Sequence, residues 1–216
     1  MRFPELLEII GDHQVFTSSL LRVGDVSPVD IASQLSRWVA AGKLISLRRG
    51  VYVVAAPYRR SEPNAFEIAN VLVRPSYVSL ESALSFYGLI PEAVFVTTSV
   101  TTARASTFDT PAGRFDYRHV SPEMLWGYAD VAITDDSSRA TALVARPEKA
   151  LLDLVYVRPG ADAASFLRQL RLDRLDDLDL NVLEREARRS GKPKLLRAVR
   201  AIARMAASQS EEWVNL

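Results

Sequence analysis

Apolar residues recur at three- and four-residue intervals over Phe3, Leu6, Leu7 and Ile10, which places them on one face of a short helix ended by Gly11. Thr17 is a good N-cap for a second short helix over 18–22, which stops at Gly24 and leads into the turn Gly24-Asp25-Val26. Ser27 followed by Pro28 opens a third helix. The serine oxygen accepts an orphan amide, and the proline needs no hydrogen bond at the first helical position. That helix runs to about Ala41, with Ile31, Leu35, Trp38 and Val39 on one face and Asp30, Ser33, Gln34 and Arg37 on the other. After Gly42, residues 44–47 and 51–54 read as two strands around the basic tip Arg48-Arg49-Gly50. Three helices followed by a basic hairpin predict a winged helix-turn-helix over residues 1–60.

A short proline-bounded connector, 58–64, marks a boundary near residue 60. The pattern Phe66, Ala69, Leu72, Val73 predicts a helix over 65–73, and a second helix follows Ser79, capped by that serine and closed by Gly88. From Phe95 the period shifts to that of strands, at 95–98, 113–120, 127–133 and 139–144, the last two flanking the turn residues 134–138. These predict a small antiparallel sheet. Pro147 lies near the first turn of a further helix, and three helical stretches follow at 163–172, 180–189 and 192–207. In the last, Arg197, Arg200 and Arg204 form a stripe opposite Leu195, Leu196, Val199 and Ile202. That stripe is either a solvated face or an auxiliary contact for DNA or an acidic partner. The expected fold class is α+β: the winged helix-turn-helix over 1–60, then a mixed α/β domain over 61–216 with a small antiparallel sheet and C-terminal helices.

Composition is that of a globular chain: 216 residues, 48% hydrophobic and 25% charged. The absence of an 18-residue apolar run and of a signal-peptide core leads to the expectation of a cytoplasmic protein without membrane association. The net charge of +1 hides a segregation that matters more. Residues 1–60 hold 8 Lys+Arg against 5 Asp+Glu, residues 61–140 hold 5 against 10, and residues 141–216 hold 14 against 11. Only local surfaces can therefore attract a polyanion.

The chemistry the first sixty residues offer is that of a helix placed in a major groove. Gln34 and Arg37 carry donors that read base edges, and Ser33 beside them suits a base or a phosphate. Arg48 and Arg49 would reach phosphates or an adjacent minor groove, while Lys43, Thr17, Ser18 and Ser27 would add backbone contacts. Winged helices also serve as protein-contact modules, and surface arginines are often simply solvated. Catalysis finds little support. The chain has no cysteine and its two histidines, His13 and His119, lie far apart in sequence, which argues against a zinc centre. Phosphate-loop, GxGxxG, GxSxG and Asp/Glu-x-Lys patterns are missing, and Asp177-Leu178-Asp179 reads as capping rather than as a metal site. Glu148-Lys149 reads as a surface or buried ion pair. No enzyme activity and no cofactor are expected.

The sequence resembles the AbiEi family of bacterial antitoxins. The motifs are Leu47-Arg48-Arg49-Gly50-Val51-Tyr52, the run Ser82-Ala83-Leu84-Ser85-Phe86-Tyr87-Gly88-Leu89-Ile90-Pro91-Glu92, the strand Phe115-Asp116-Tyr117-Arg118-His119, and Pro147-Glu148-Lys149-Ala150-Leu151-Leu152-Asp153-Leu154. The resemblance implies a transcriptional autoregulator of an abortive-infection toxin–antitoxin operon. Its winged helix would bind inverted repeats at its own promoter, and its C-terminal domain would neutralise a nucleotidyltransferase toxin of the AbiEii kind. The motifs of the middle domain are mostly apolar, so Leu84, Phe86 and Leu151 are expected to pack and Gly88 to cap a helix. A monomer or weak dimer is expected. The rival reading is a metabolite-sensing winged-helix transcription factor; a third is a pure interaction protein.

Overall fold

The computed structural model describes residues 1–22, 27–91, 94–133, 141–172 and 178–214, with side chains described to residue 207. The turn expected at 24–26, the turn at 134–138 and Asp177 lie outside the described residues. Helix α1 (Phe3–Ile10) buries Phe3, Leu6 and Ile10, and the Glu5 carboxylate in its first turn accepts from the Arg2 amide at 2.9 Å and from Arg2 Nε at 2.7 Å. Strand β1 (Val15–Thr17) leads into a 3₁₀ turn (Ser18–Leu21). Helix α2 (Pro28–Ala40) buries Ile31, Leu35 and Trp38, and Ser27 caps it by accepting from the Val29 amide at 3.3 Å. Strands β2 (Leu44–Arg48) and β3 (Val51–Val54) form a hairpin, and β1 pairs on the far side of β3, giving the antiparallel order β1-β3-β2. Sequence patterning did not predict β1, because three residues are too short to display a period.

Alternation of side chains along these strands gives the small sheet two covered faces. Phe16, Leu44 and Val54, with Tyr52, pack against Phe3, Leu6, Leu35 and Trp38 of α1 and α2. Val15, Leu47, Val51 and Val53, on the other face, belong to the core of the remainder of the chain. The connector near residue 60 is thus a break in secondary structure across which packing is continuous.

Beyond it, Asn64 caps α3 (Ala65–Leu72) by accepting from the Phe66 amide at 2.8 Å. Then come β4 (Ser76–Val78), α4 (Leu80–Phe86), β5 (Val96–Thr101), β6 (Ser106–Thr110), β7 (Gly113–His119), β8 (Tyr128–Ala132) and β9 (Thr141–Ala145). Helices α5 (Pro147–Val157), α6 (Ala164–Gln169), α7 (Leu180–Arg189) and α8 (Pro193–Val214) close the chain, α7 capped by Asp179 as expected. The sheet is six-stranded in the order β6-β7-β5-β4-β9-β8. It corrects the expectation of a small antiparallel sheet: β4–β9 and β5–β7 are parallel, and β4 and β6 were not predicted as strands. β4 is buried at all three positions, so it lacks the alternation that would reveal a strand.

Two local expectations are also corrected. Ser79 precedes α4, but its hydroxyl donates to Asp153 Oδ2 at 2.8 Å instead of capping the helix. The Ser82 amide in the first turn is taken by Thr98 Oγ1 at 3.1 Å. Phe86, expected to pack, is 42% exposed and rests against Phe66 and Tyr87 at the surface, whereas Leu84 and Leu151 are fully buried.

Candidate nucleic-acid interface

Helix α2 has the good amphipathic division that its sequence requires. Ile31, Leu35 and Trp38 face the small core, while Ser33, Ser36 and Arg37 are exposed and Gln34 is half-buried beside them. Arg37 Nε donates to the Ser33 carbonyl at 3.4 Å, which lays the side chain along the helix, and no acidic partner neutralises it among the described residues. Val29, Ala32 and Ser36 are exposed on the same side and were not singled out in the sequence, because attention to polar donors passes over small and apolar side chains.

The chain turns at Gly42 and β2 leads away from the C-terminal end of α2. Lys43 and Arg48 therefore stand at opposite ends of β2, roughly 17 Å apart at the usual strand rise. Lys43 lies with its ammonium 5.1 Å from the centre of the Phe3 ring, against α1. It does not join the hairpin tip. Thr17 and Ser18 do: Thr17 is paired with Val51 in the sheet, and the Ser18 amide donates to the Gly50 carbonyl at 2.8 Å. Gly50 has φ of +81°, a left-handed conformation that a side chain would strain and that lets the hairpin close. Thr17 is correspondingly not a side-chain cap; its hydroxyl meets that of Ser19 at 2.7 Å.

The two tip arginines have different environments. Arg48 places its guanidinium 5.6 Å from the centre of the Phe108 ring on β6, so the tip rests on the edge of the large sheet. Arg49 is exposed and has no acidic partner among the described residues. Thr17, Ser18, Arg48 and Arg49 thus form one cluster, Ser27, Ser33, Gln34 and Arg37 a second along α2, and the 3₁₀ turn 18–21 touches both α2 and β1.

The C-terminal stripe is partly consumed by internal contacts. Arg197 Nε donates to Asp162 Oδ2 at 2.8 Å, and Arg204 is also engaged. Lys194 reaches the Tyr156 and Arg158 carbonyls at the end of α5, and Lys192 faces Glu123 at 3.4 Å. Arg200 is exposed between α7 and α8.

A second polar group lies in the interior of the larger unit. Residues 148–155 of α5 are all buried, Lys149 and Asp153 among them. Lys149 Nζ is paired with Asp153 Oδ1 and donates to Tyr77 OH at 2.8 Å, and Tyr77 OH donates to Asp153 Oδ2 at 3.0 Å. The Lys149 ammonium and the Arg189 guanidinium each lie 4.7 Å from the centre of the Trp126 ring. Burial depresses the Lys149 ammonium pKa and raises that of the Asp153 carboxyl, with the partner's charge opposing each shift. The ion pair expected around Glu148-Lys149 is therefore Lys149–Asp153, and Glu148 instead accepts from the Asp179 amide at 3.1 Å. Every polar atom of this group has a partner within the protein, and Lys149 is 1% exposed.

Among the described residues no helix is long and apolar enough to cross a membrane, and no three His, Asp or Glu side chains gather as a metal-binding set. The chain matches no protein-family model and no curated protein, which leaves its own residues as the basis for a functional reading.

Proposed function

We propose that the chain is a cytoplasmic, DNA-binding antitoxin regulator. In this reading residues 1–60 form a winged helix-turn-helix whose reading helix is α2 and whose wing is the β2–β3 hairpin. Residues 61–216 face the partner, a nucleotidyltransferase toxin of the AbiEii kind. One observation carries the DNA arm: the polar side of α2 faces solvent, with Ser33 and Arg37 exposed and Gln34 within reach, and at the hairpin tip stands Arg49, exposed and without an acidic partner among the described residues. Amide and guanidinium donors on an open helix face suit base edges, and a tip cation suits phosphates. The +3 balance of residues 1–60 is small for a DNA binder. Two chains on the two halves of an inverted repeat, as monomers acting together or as a weak dimer, supply the remaining affinity.

A second reading, a metabolite-sensing regulator, rests on a different feature. A groove of about 800 Å³ lies between the first sixty residues and the larger unit, lined by Val15, Thr17 and Leu20 on one side and Glu67, Tyr128 and Leu143 on the other. A ligand there would touch both the 3₁₀ turn and the large sheet.

Two measurements on the full chain test the first reading. Electrophoretic shift of the DNA upstream of its own reading frame is expected to lose sequence preference in Gln34→Ala/Arg37→Ala; a shift unchanged by both substitutions would contradict the assignment. The same variant is expected to retain growth rescue of cells expressing an adjacent nucleotidyltransferase. Loss of rescue together with repression would contradict the division of roles.

A further inference from the structure

We infer that Val29 is a specificity-determining residue that packs against the C5-methyl group of a thymine in the major groove, an inference that rests on α2 being the reading helix. Val29 is 75% exposed, on the helix whose apolar face buries Ile31 and Leu35 to 5% and 0%. Among the described residues it belongs to neither hydrophobic cluster. Its position is defined by register. Val29, Ser33 and Arg37 follow one another at four-residue intervals, so they form one line along the solvent side of α2. That line is about 12 Å long at the helical rise, the length of three to four base steps.

Along the line the chemistry changes from apolar to hydroxyl to guanidinium. The major-groove edge of a base pair offers acceptors, donors and a single apolar group, the thymine methyl. A branched apolar side chain has no other complementary feature to meet there. Charge points the same way. Asp30, next to Val29, is exposed and carries a negative charge that repels phosphates, so this end of α2 is suited to base edges, while Arg37 and Arg49 serve the backbone or a guanine. In the free protein Asp30 complements the positive end of the helix.

The test uses the full chain. A duplex is selected from a randomised pool, each thymine of the selected site is replaced singly by uracil, which lacks only the methyl, and affinities are compared for wild type, Val29→Thr and Val29→Ser. Burying one methyl corresponds to roughly a three- to fourfold change in affinity. At one thymine per half-site, uracil is expected to weaken wild type and Val29→Thr by that factor, because threonine keeps one γ-methyl, and to leave Val29→Ser unchanged. A selected duplex whose uracil variants bind wild type and Val29→Ser alike overturns the role of Val29 and leaves α2 as a reading helix. Failure to select any duplex, or preference insensitive to Gln34→Ala and Arg37→Ala, overturns both. The exposure of Val29 makes all three chains equally stable, which their thermal transitions verify.

Discussion

Arg48 and Phe108 hold the β2–β3 hairpin against the large sheet: the guanidinium stands 5.6 Å from the ring centre, on the edge strand β6. Neighbouring Arg49 has no such contact among the described residues, so two adjacent arginines of the same tip have separable roles.

Arg49→Ala is expected to weaken binding to all duplexes alike, to lower the salt dependence by about one phosphate contact, and to leave stability unchanged. Arg48→Ala is expected to cost about 0.5–1 kcal/mol of stability through the lost cation–ring contact. Denaturant unfolding and binding titrations on both variants separate the two effects.

Asp153→Ala leaves the Lys149 ammonium buried without its carboxylate and is expected to destabilise the protein by about 3–5 kcal/mol. Lys149→Met/Asp153→Leu is expected to be much closer to wild type, since both charges leave together. Equal losses in the single and double variants would contradict the pairing. Gly127→Ala tests the same wall, because a Cβ there stands 2.9 Å from Lys149 Cγ at a backbone φ of +75°. Unfolding midpoints lower than wild type are expected.

Glu67, facing His13 at 3.6 Å across the groove, has its carboxyl pKa raised by burial, with the His13 charge opposing the shift. A raised folded-state value means that folding favours the protonated acid. Its contribution is complete below the ordinary value of 4.5 and is lost as pH rises through the folded value. Glu67→Gln is expected to remove this decline, so the difference in melting temperature between variant and wild type should grow with pH above 4.5. A difference independent of pH would contradict it.

Arg197→Ala is expected to cost less than about 1 kcal/mol, as for an exposed pair with Asp162, and Arg200→Ala is expected to cost nothing measurable. Thermal unfolding of the two variants checks the distinction.

Sequence patterning located α1, α2 and the hairpin, because Gly11, the Ser27 cap, Gly42 and Gly50 mark their ends; the second expected helix is a 3₁₀ turn without the Thr17 cap, and the 3₁₀ turn Ala56–Tyr58 was missed. The missed strands have physical reasons. β1 has three residues, β4 is buried on every position, and β6, an edge strand joined to β7 by the two-residue turn Pro111-Ala112, is a mostly polar run, Ser-Thr-Phe-Asp-Thr, with a single apolar residue and so no apolar alternation to mark it. The parallel pairing of β4 with β9 joins residues 66 apart, Val78 and Val144. The line of polar residues on α2 was legible from its 3.6-residue period. The clamp of Arg48 on Phe108 and the internal use of Arg197 were not, since tertiary partners decide which basic residues remain available.

The most direct test of the account is the binding of the full chain to its selected duplex, followed by fluorescence anisotropy between about 50 and about 200 mM salt. Log affinity is expected to fall linearly with log salt, with a shallower slope in Arg49→Ala and an altered sequence preference in Gln34→Ala. Identical slopes and identical preferences in all three proteins would contradict the claim that the open face of α2 and the hairpin tip are what meets DNA.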